Sequence, residues 1–551
     1  MNAILRNIVP LAALCLSLLA LALAVWISPW WLILLLVTLP VVALGLYDYF
    51  QKRWTITRNY PVAARLRWLF YDLRPFLRAY IVEGDLEGKP YPYEARNLVH
   101  ARARGETDTH PFGTERDVAG EEYQWVNHSI APADDPDTDP RVTVGNEQCA
   151  KPYSASVLNI SAMSFGALSA NAVEALNWGA KHGGFYHDTG EGGFSPYHQK
   201  HGGDIVWELG SGYFGARDKG GNFDPSLFAE QASRDQVKMT EIKLSQGAKP
   251  GHGGLLPAAK VTREIAETRK VPAHQDCLSP RGHKAFKTPA EMMEFAARMR
   301  DLSGGKPVGL KLCIGQPHEA FALVKAMQKT GIFPDFIVVD GAEGGTGAAP
   351  LELSDHVGMP LIDGLIVMRN ALVGAGVKDK VRLAASGKVY SGYGLAHNLA
   401  IGADWCNAAR AFMFSIGCIQ AQRCHLGTCP TGVTTQDPRR QRGLVPEVQG
   451  ERAARFHRKT VEALSEITAS AGLRHPRELE PHHIVHRIGV TQARTIDKVY
   501  PFLPEGVLND DPGSTDYADW WAAADPDSFK PRTDLGRART SLHHNSHLKE
   551  A

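Results

Sequence analysis

Three cysteines in one short segment are the residues best equipped for chemistry. They lie in Cys418-Ile-Gln-Ala-Gln-Arg-Cys424-His-Leu-Gly-Thr-Cys429-Pro430. The spacing C-x5-C-x4-C, closed by proline, lets one loop offer Cys418, Cys424 and Cys429 as thiolates to three irons of a cuboidal cluster. A full cubane ordinarily takes four thiolates. Without an obvious fourth, the expectation is a 3Fe–4S cluster. Structural zinc loops use tighter C-x2–4-C pairs, and buried structural thiols are the plainer alternative. The other cysteines, at 15, 149, 277, 313 and 406, are scattered through 551 residues, unlike a disulfide scaffold.

Lys243 and Lys311 come next. Each sits in a strand-like run between apolar neighbours, Ile242 and Leu244 or Leu310 and Leu312. A lysine pointing into a barrel needs a partner. A flavin gathers negative charge around N1–C2=O on reduction, and a lysine there stabilises the reduced form. The alternative for each is an edge lysine reaching solvent. Glu191 is a candidate buried acid for the same cavity, or else an N-cap of the following helix.

Five glycine-rich loops follow apolar runs: Ser161–Ser169, which holds Met163 and Ser164; Thr189–Gly193, which holds Gly190 and Gly192; Gln246–Gly254; Asp340–Gly347, which holds Gly344 and Gly345; and Ser386-Gly387-Lys388. In a parallel barrel, loops at the C-terminal strand ends form the active face, and the last two commonly hold phosphate. Ser386, Gly387, Lys388, Gly402 and Ala403 are therefore expected to cradle a phosphate with backbone N–H groups.

The elements that must position these residues are short β-rich runs alternating with helical ones. The runs are Val157–Ile160, Glu241–Leu244, Val308–Cys313, Phe336–Val339, Val381–Ala385 and Trp405–Ala408, with amphipathic stretches such as Pro289–Arg300 and His318–Lys329 between them. Strand–helix–strand alternation signals parallel βα units. About eight such units over roughly 280 residues fit a (β/α)8 TIM barrel. A doubly wound sheet is the alternative, but no GxGxxG follows the first strand. The expected domains are a hairpin over 1–50, a lead-in segment over 51–150, the barrel over 151–475 and a C-terminal extension over 476–551. An amphipathic helix is expected over Arg452–Ala471, and the last twenty residues are expected to be loosely ordered.

Two apolar runs, Ile8–Ile27 and Trp30–Tyr47, open the chain. Each approaches the about 17–25 residues that a bilayer helix needs. Trp26, Trp30 and Trp31 cluster at the break, as at a membrane interface, and basic residues (Arg6, then Lys52, Arg53 and Arg58) flank both outer ends. The expectation is a transmembrane hairpin in the inner (cytoplasmic) membrane with the catalytic domain on the cytoplasmic side. A cleaved signal peptide is the alternative, disfavoured by the length of the first run and by the second run directly after it. Charge is balanced, 60 basic against 59 acidic residues, so nothing points to a nucleic acid partner.

At these motifs the sequence resembles the FMN-binding synthase domain of the glutamate synthase family. The matching segments are Glu241-Ile-Lys-Leu-Ser-Gln-Gly-Ala-Lys-Pro-Gly251, Asp340-Gly-Ala-Glu-Gly-Gly-Thr-Gly-Ala-Ala-Pro350 and Gly417–Gln436. The resemblance implies a TIM barrel holding FMN, with a 3Fe–4S cluster on Cys418, Cys424 and Cys429 that passes electrons to FMN. It further implies hydride delivery from reduced FMN to 2-iminoglutarate, made from 2-oxoglutarate and ammonia. Lys249 and Arg269 match residues that hold the 2-oxoglutarate carboxylates; Lys243 and Glu191 match active-site positions. Departures are equally specific. The sequence carries no glutaminase domain, no C-terminal glycine-repeat domain and no NADPH fingerprint, so a partner protein is expected to supply electrons or ammonia. Leu255 stands where the family has Gln, and His252 where it has an acid.

Three readings follow: an amino-acid oxidoreductase of the glutamate synthase kind; a membrane dehydrogenase passing electrons from another substrate to a quinone or partner; or a non-catalytic electron carrier, against which Lys243, Lys249, Arg269 and Glu191 argue.

Overall fold

The computed structural model describes residues 7–533 and 535, in two compact units that divide between Tyr93 and Glu94. The expected lead-in segment is therefore not one piece: residues 51–93 go with the hairpin and 94–150 with the barrel.

In the first unit, helices Ile8–Trp26 and Leu35–Phe50 pack on each other, joined through a 3-10 turn at Pro29–Leu34. Ser17 Oγ donates to Thr38 Oγ1 across the pair (2.7 Å), while the leucines and valines of both outer faces are exposed. By length and composition both helices can cross a membrane. The chain continues into helix Arg65–Leu77.

The second unit is a closed barrel of eight parallel strands: β1 (Leu158–Ile160), β2 (His187–Asp188), β3 (Ile205–Leu209), β4 (Val237–Lys243), β5 (Val308–Leu312), β6 (Phe336–Asp340), β7 (Arg382–Ser386) and β8 (Trp405–Ala408). Most of their residues are buried, as parallel strands covered by helices must be. A helix follows each strand: α1 (Ala170–Gly183), α2 (Pro196–Gln199), α3 (Pro225–Ala232), α4 (Pro289–Leu302), α5 (Pro317–Thr330), α6 (Leu361–Gly374), α7 (Gly392–Ala400) and, beyond a short turn of helix at Arg410–Ser415, α8 (Pro446–Ser470). Local sequence sets their ends. The Ser169 hydroxyl accepts from Ala172 N to start α1, and Gly184, at φ +70°, stops it. The barrel closes by packing α8 on α1 at two glycines. A Cβ on Gly179 would sit 2.9 Å from the Gly450 carbonyl oxygen, and one on Gly450 would sit 2.8 Å from that of Ala175.

A hairpin of Arg141–Val144 and Tyr153–Ser156 joins the apolar cluster made by early strand residues, among them Val206, Met239, Phe336 and Trp405. That cluster plugs the N-terminal end and leaves the C-terminal end for polar groups. The C-terminal extension is well built. Strands Ile484–Gly489 and Gln492–Thr495 pair with each other, and the first of them with Gln124–Val126; Tyr517 and Trp521 pack on Phe321 of α5. The loose order expected of the last twenty residues falls almost wholly outside the described ones.

Candidate active site

The barrel interior above the plug is charged. Asp188 ends β2, Glu208 is on β3, Glu241 and Lys243 on β4, and Lys311 on β5. Carboxylate oxygens of Asp188, Glu208 and Glu241 lie within 4.8 Å of one another, all three side chains buried. Lys311 Nζ donates to Glu208 Oε2 at 2.6 Å. Burial works against the Lys311 charge, but Glu208 and the neighbouring carboxylates outweigh it and hold its pKa above the ordinary range. Burial, with the nearby carboxylates adding to it, pushes Asp188 and Glu241 up, so the cluster retains protons that exposed carboxyls would lose. Lys311, expected to point into the barrel and to need a partner there, is engaged with Glu208.

Lys243 connects this interior to a cleft. Its Nζ stands 3.9 Å from Glu208 Oε1 and 3.2 Å from Glu191 Oε2. The cleft encloses about 360 Å³, its open mouth included, and is walled by Glu191, Lys243, Lys249, Ser211, Ser279 and Arg281 together with the Gln246–Gly254 loop. Burial alone would raise the Glu191 pKa, but Lys243, then Arg269 and Lys249, pull it below the usual carboxylate value. Glu191 is thus held ionised among cations. Lys249 is only 9% exposed, and burial lowers its pKa against the pull of Glu191. Gly210 and Gly254 make room for the Glu191 carboxylate: a Cβ on either would come within 2.9 Å of its oxygens. The His283 ring nitrogen Nε2 pairs with the Lys243 carbonyl oxygen at 2.8 Å and braces that strand end.

Arg269 is not in the cleft wall. Its Nη2 donates to Phe165 O (3.0 Å) and approaches Ser164 Oγ (3.5 Å), and its guanidinium lies over Phe214. It holds the loop after β1 in place. Leu255 is half exposed and outside the wall, whereas His252 is part of it.

The glycines of the loop after β2 serve contact between loops. A Cβ on Gly190 would meet Ser164 N at 2.7 Å, and one on Gly192 would meet Ser164 Cβ at 2.8 Å. They let this loop press on Met163 and Ser164. The loops after β6, β7 and β8 converge around Gly345, Gly387 and Arg410. Arg410 Nη2 donates to Glu343 O (2.7 Å), and a Cβ on Gly345 would sit 2.9 Å from Arg410 Nε. Ser386 Oγ pairs with Ser161 Oγ at 3.2 Å; Gly344 is in the same β6 loop, and Lys388 follows Gly387 with a positive φ of 49°. The expectation for Gly402 and Ala403 is corrected. They precede β8, and the next residue, Asp404, donates its N–H to Leu383 O near the start of β7. That is the opposite end of the barrel from the active face. The loop that does follow β8 brings Arg410, which the sequence reading missed even though it stands two residues past a recognised strand. Glu208 and Asp188 were missed because β2 and β3 were not recognised.

Cys418, Cys424 and Cys429 lie in the segment beyond β8. Burial, with Cys424 and Cys429 adding to it, pushes the Cys418 thiol up to about 12. Cys429 Sγ lies 3.4 Å from Thr431 Oγ1. Lys260 Nζ donates to Cys424 O (2.8 Å), and Gln436 Nε2 donates to Gly166 O and Leu168 O (3.1 and 3.0 Å). The Gln436 bonds dock this segment on the loop after β1, and the Lys260 bond docks it on the segment after β4.

The conserved region of glutamate synthase matches residues 127–474. Over 495 residues the chain is 35% identical to the glutamate synthase large subunit-like protein YerD of Bacillus subtilis, covering 82% of this chain and 94% of that protein. It is 33% identical over 314 residues to an archaeal-type glutamate synthase [NADPH] of Thermotoga neapolitana, covering 57% of this chain and 59% of that one. Among solved structures it is similar to a putative lactate oxidase of Pediococcus acidilactici, at 14% identity and a TM-score of 0.40, covering 73% of this chain and 93% of that one. With the family region spanning the whole barrel and the cysteine segment, the chain belongs to the glutamate synthase family of oxidoreductases.

Proposed function

We propose that the protein is an FMN- and iron–sulfur-dependent oxidoreductase acting at a carbon–nitrogen bond beside a carboxylate, forming L-glutamate from 2-iminoglutarate or a related imino acid. One observation carries this reading. Lys243, Lys249 and Glu191 meet in a single cleft at the strand ends, a cationic wall for an acidic substrate beside an ion pair able to handle a proton.

The residues fit both cofactors. At Gly345 and Gly387 a Cβ would fill space beside Arg410 and Glu343, in the loops where such barrels hold phosphate. Ser386, Gly387 and Lys388, with Arg410, would hold the FMN phosphate; the Met163–Ser164 loop and Lys243 would flank its ring. Cys418, Cys424 and Cys429 would hold a 3Fe–4S cluster, a donor set suited to iron. When bound, FMN supplies the hydride and the cluster relays single electrons. The chain's own residues do the rest. Lys249 holds a substrate carboxylate, Lys243 and Glu191 hold and move a proton at the substrate nitrogen, and Arg269 fixes the Ser164 loop. A partner protein supplies electrons or ammonia. The apolar hairpin anchors the chain in the cytoplasmic membrane with the barrel on the cytoplasmic side.

A second reading is a membrane dehydrogenase passing electrons from another substrate to a quinone. The two long apolar helices, with His252 in the cleft wall, favour it.

The test is anaerobic purification in detergent, followed by visible and low-temperature EPR spectra with and without 2-oxoglutarate. A flavin spectrum and an oxidised 3Fe–4S signal, both perturbed by the keto acid, support the first reading. Both cofactors without that response support the second. Cys424→Ser should remove the cluster signal and leave FMN bound; an unchanged iron content would overturn the ligand assignment.

A further inference from the structure

Helix Arg65–Leu77 has no buried residue. Leu66, Leu69, Phe70, Leu73 and Leu77 recur at i, i+3, i+4, i+7 and i+11, which places them on one face. That face stands bare: these side chains are 57, 52, 59, 40 and 38% exposed. The following turn, Arg78–Val82, adds Tyr80, Ile81 and Val82, each more than half exposed. A contiguous apolar surface of this kind marks an interaction site. Arg67 and Arg74 border it, and Asp72 is the only acid in the helix.

The depth of the helix is set by a buried clamp. Asp48, in the last turn of the second long apolar helix, accepts from Arg65 Nε (2.9 Å), Arg65 Nη2 (2.6 Å) and Val62 N (3.0 Å). The first residue of the amphipathic helix is thereby tied to the end of the apolar one, the level at which a spanning helix reaches headgroups. Trp54 and Trp68 make an edge contact at 4.9 Å there, the residue type enriched at that level.

We propose that helix Arg65–Leu77 lies in the headgroup layer of an anionic bilayer, its leucine face in the acyl boundary and Arg67 and Arg74 on lipid phosphates. This rests on the membrane reading of the hairpin. Apolar area together with flanking arginines is the recognition chemistry of such interfacial helices.

Hydrogen exchange on the full-length protein tests it, comparing detergent micelles with nanodiscs of phosphatidylcholine alone or mixed with phosphatidylglycerol. Slowed exchange over 65–82 in nanodiscs, greatest with phosphatidylglycerol, is the expected result. The exposed pair Arg67→Gln/Arg74→Gln should cut the affinity of the segment for phosphatidylglycerol at least about fivefold and leave flavin content unchanged. Protection of the hairpin with none over 65–82 overturns the proposal while leaving the membrane reading intact. No protection of the hairpin overturns both. Protection of 65–82 that appears in detergent and rises with protein concentration overturns it in favour of a second copy on that face.

Discussion

At the scale of single residues, the cleft is defined by charges that cannot be separated without cost. Glu191 is ionised because Lys243, Arg269 and Lys249 surround it. Glu191→Gln keeps the shape and removes the charge. If the Lys243–Glu191 pair moves a proton, kcat for glutamate formation should fall about 10²–10⁴-fold, with flavin content unchanged; a rate within threefold of the parent would remove Glu191 from the chemistry. Lys311 behaves differently, because its partner Glu208 is almost fully enclosed. Lys311→Met leaves a buried carboxylate with only Lys243, 3.9 Å away, and should cost about 3–5 kcal/mol of stability. Denaturant unfolding of the variant, with Lys311→Met/Glu208→Leu as the compensated control, measures this. Lys243 and Lys311 read alike in the sequence, a lysine between two apolar residues. Only the closed barrel distinguishes their roles, bringing Glu191 of the turn after β2 to Lys243 and Glu208 of β3, across β4, to Lys311.

At the scale of elements, the barrel depends on close backbone approaches that glycine alone permits. The α1–α8 crossing is the clearest. Gly450→Val would drive a side chain into the Ala175 carbonyl and the Trp178 ring, and should lower stability by about 1–3 kcal/mol. Gly489→Ala, where the nearest atom to an added Cβ is 3.9 Å away, should be close to neutral; similar melting shifts for the two would remove the crossing as the cause. Six of the eight strands were legible from their runs of buried residues. β2 has two residues, too few for any periodicity. β3 carries Glu208 in an otherwise apolar run, and Lys311 from β5, reaching across the barrel interior past β4, supplies the charge partner that makes this tolerable. Gly402 and Ala403 were assigned to the phosphate loops because glycine next to a strand reads the same on either side of it. Which side matters is a property of the barrel.

At the scale of the whole molecule, buried imidazoles set the response to acid. Burial drives His187 and His457 down to about 3, and His283 and His397 to about 4. Each is neutral when folded, but below about pH 6.5 it takes a proton once the chain unfolds. The unfolded chain then binds more protons, so stability should be lost as pH falls from about 6.5 towards 3 to 4. Asp188, Glu241 and Glu319, with raised values, act in the opposite sense, but these four imidazoles and His198, which burial also drives down, outnumber the three carboxyls. Unfolding midpoints in detergent from pH 7.5 to 4.5 check the direction. His457→Gln, at the site paired with Ser156, should reduce the slope by about 1.4 kcal/mol per pH unit. A flat profile would mean that these rings are not buried neutral.

The sequence by itself determined what is local and repetitive. The alternation of apolar and amphipathic runs specifies parallel βα units, the long motifs carry the family, the three cysteines share one segment, and two apolar stretches have bilayer length. Each is a matter of spacing along the chain, which needs no partner to be read. Tertiary structure alone decided which of these residues meet. It placed Lys243 on Glu191 and Lys311 on Glu208, set Arg269 on the loop after β1, moved Gly402 and Ala403 to the far end and brought Arg410 beside the loop after β6. These outcomes depend on strand order around a closed barrel and on low-dielectric burial, where a charge is tolerated only beside its partner. Neither is encoded at any single position.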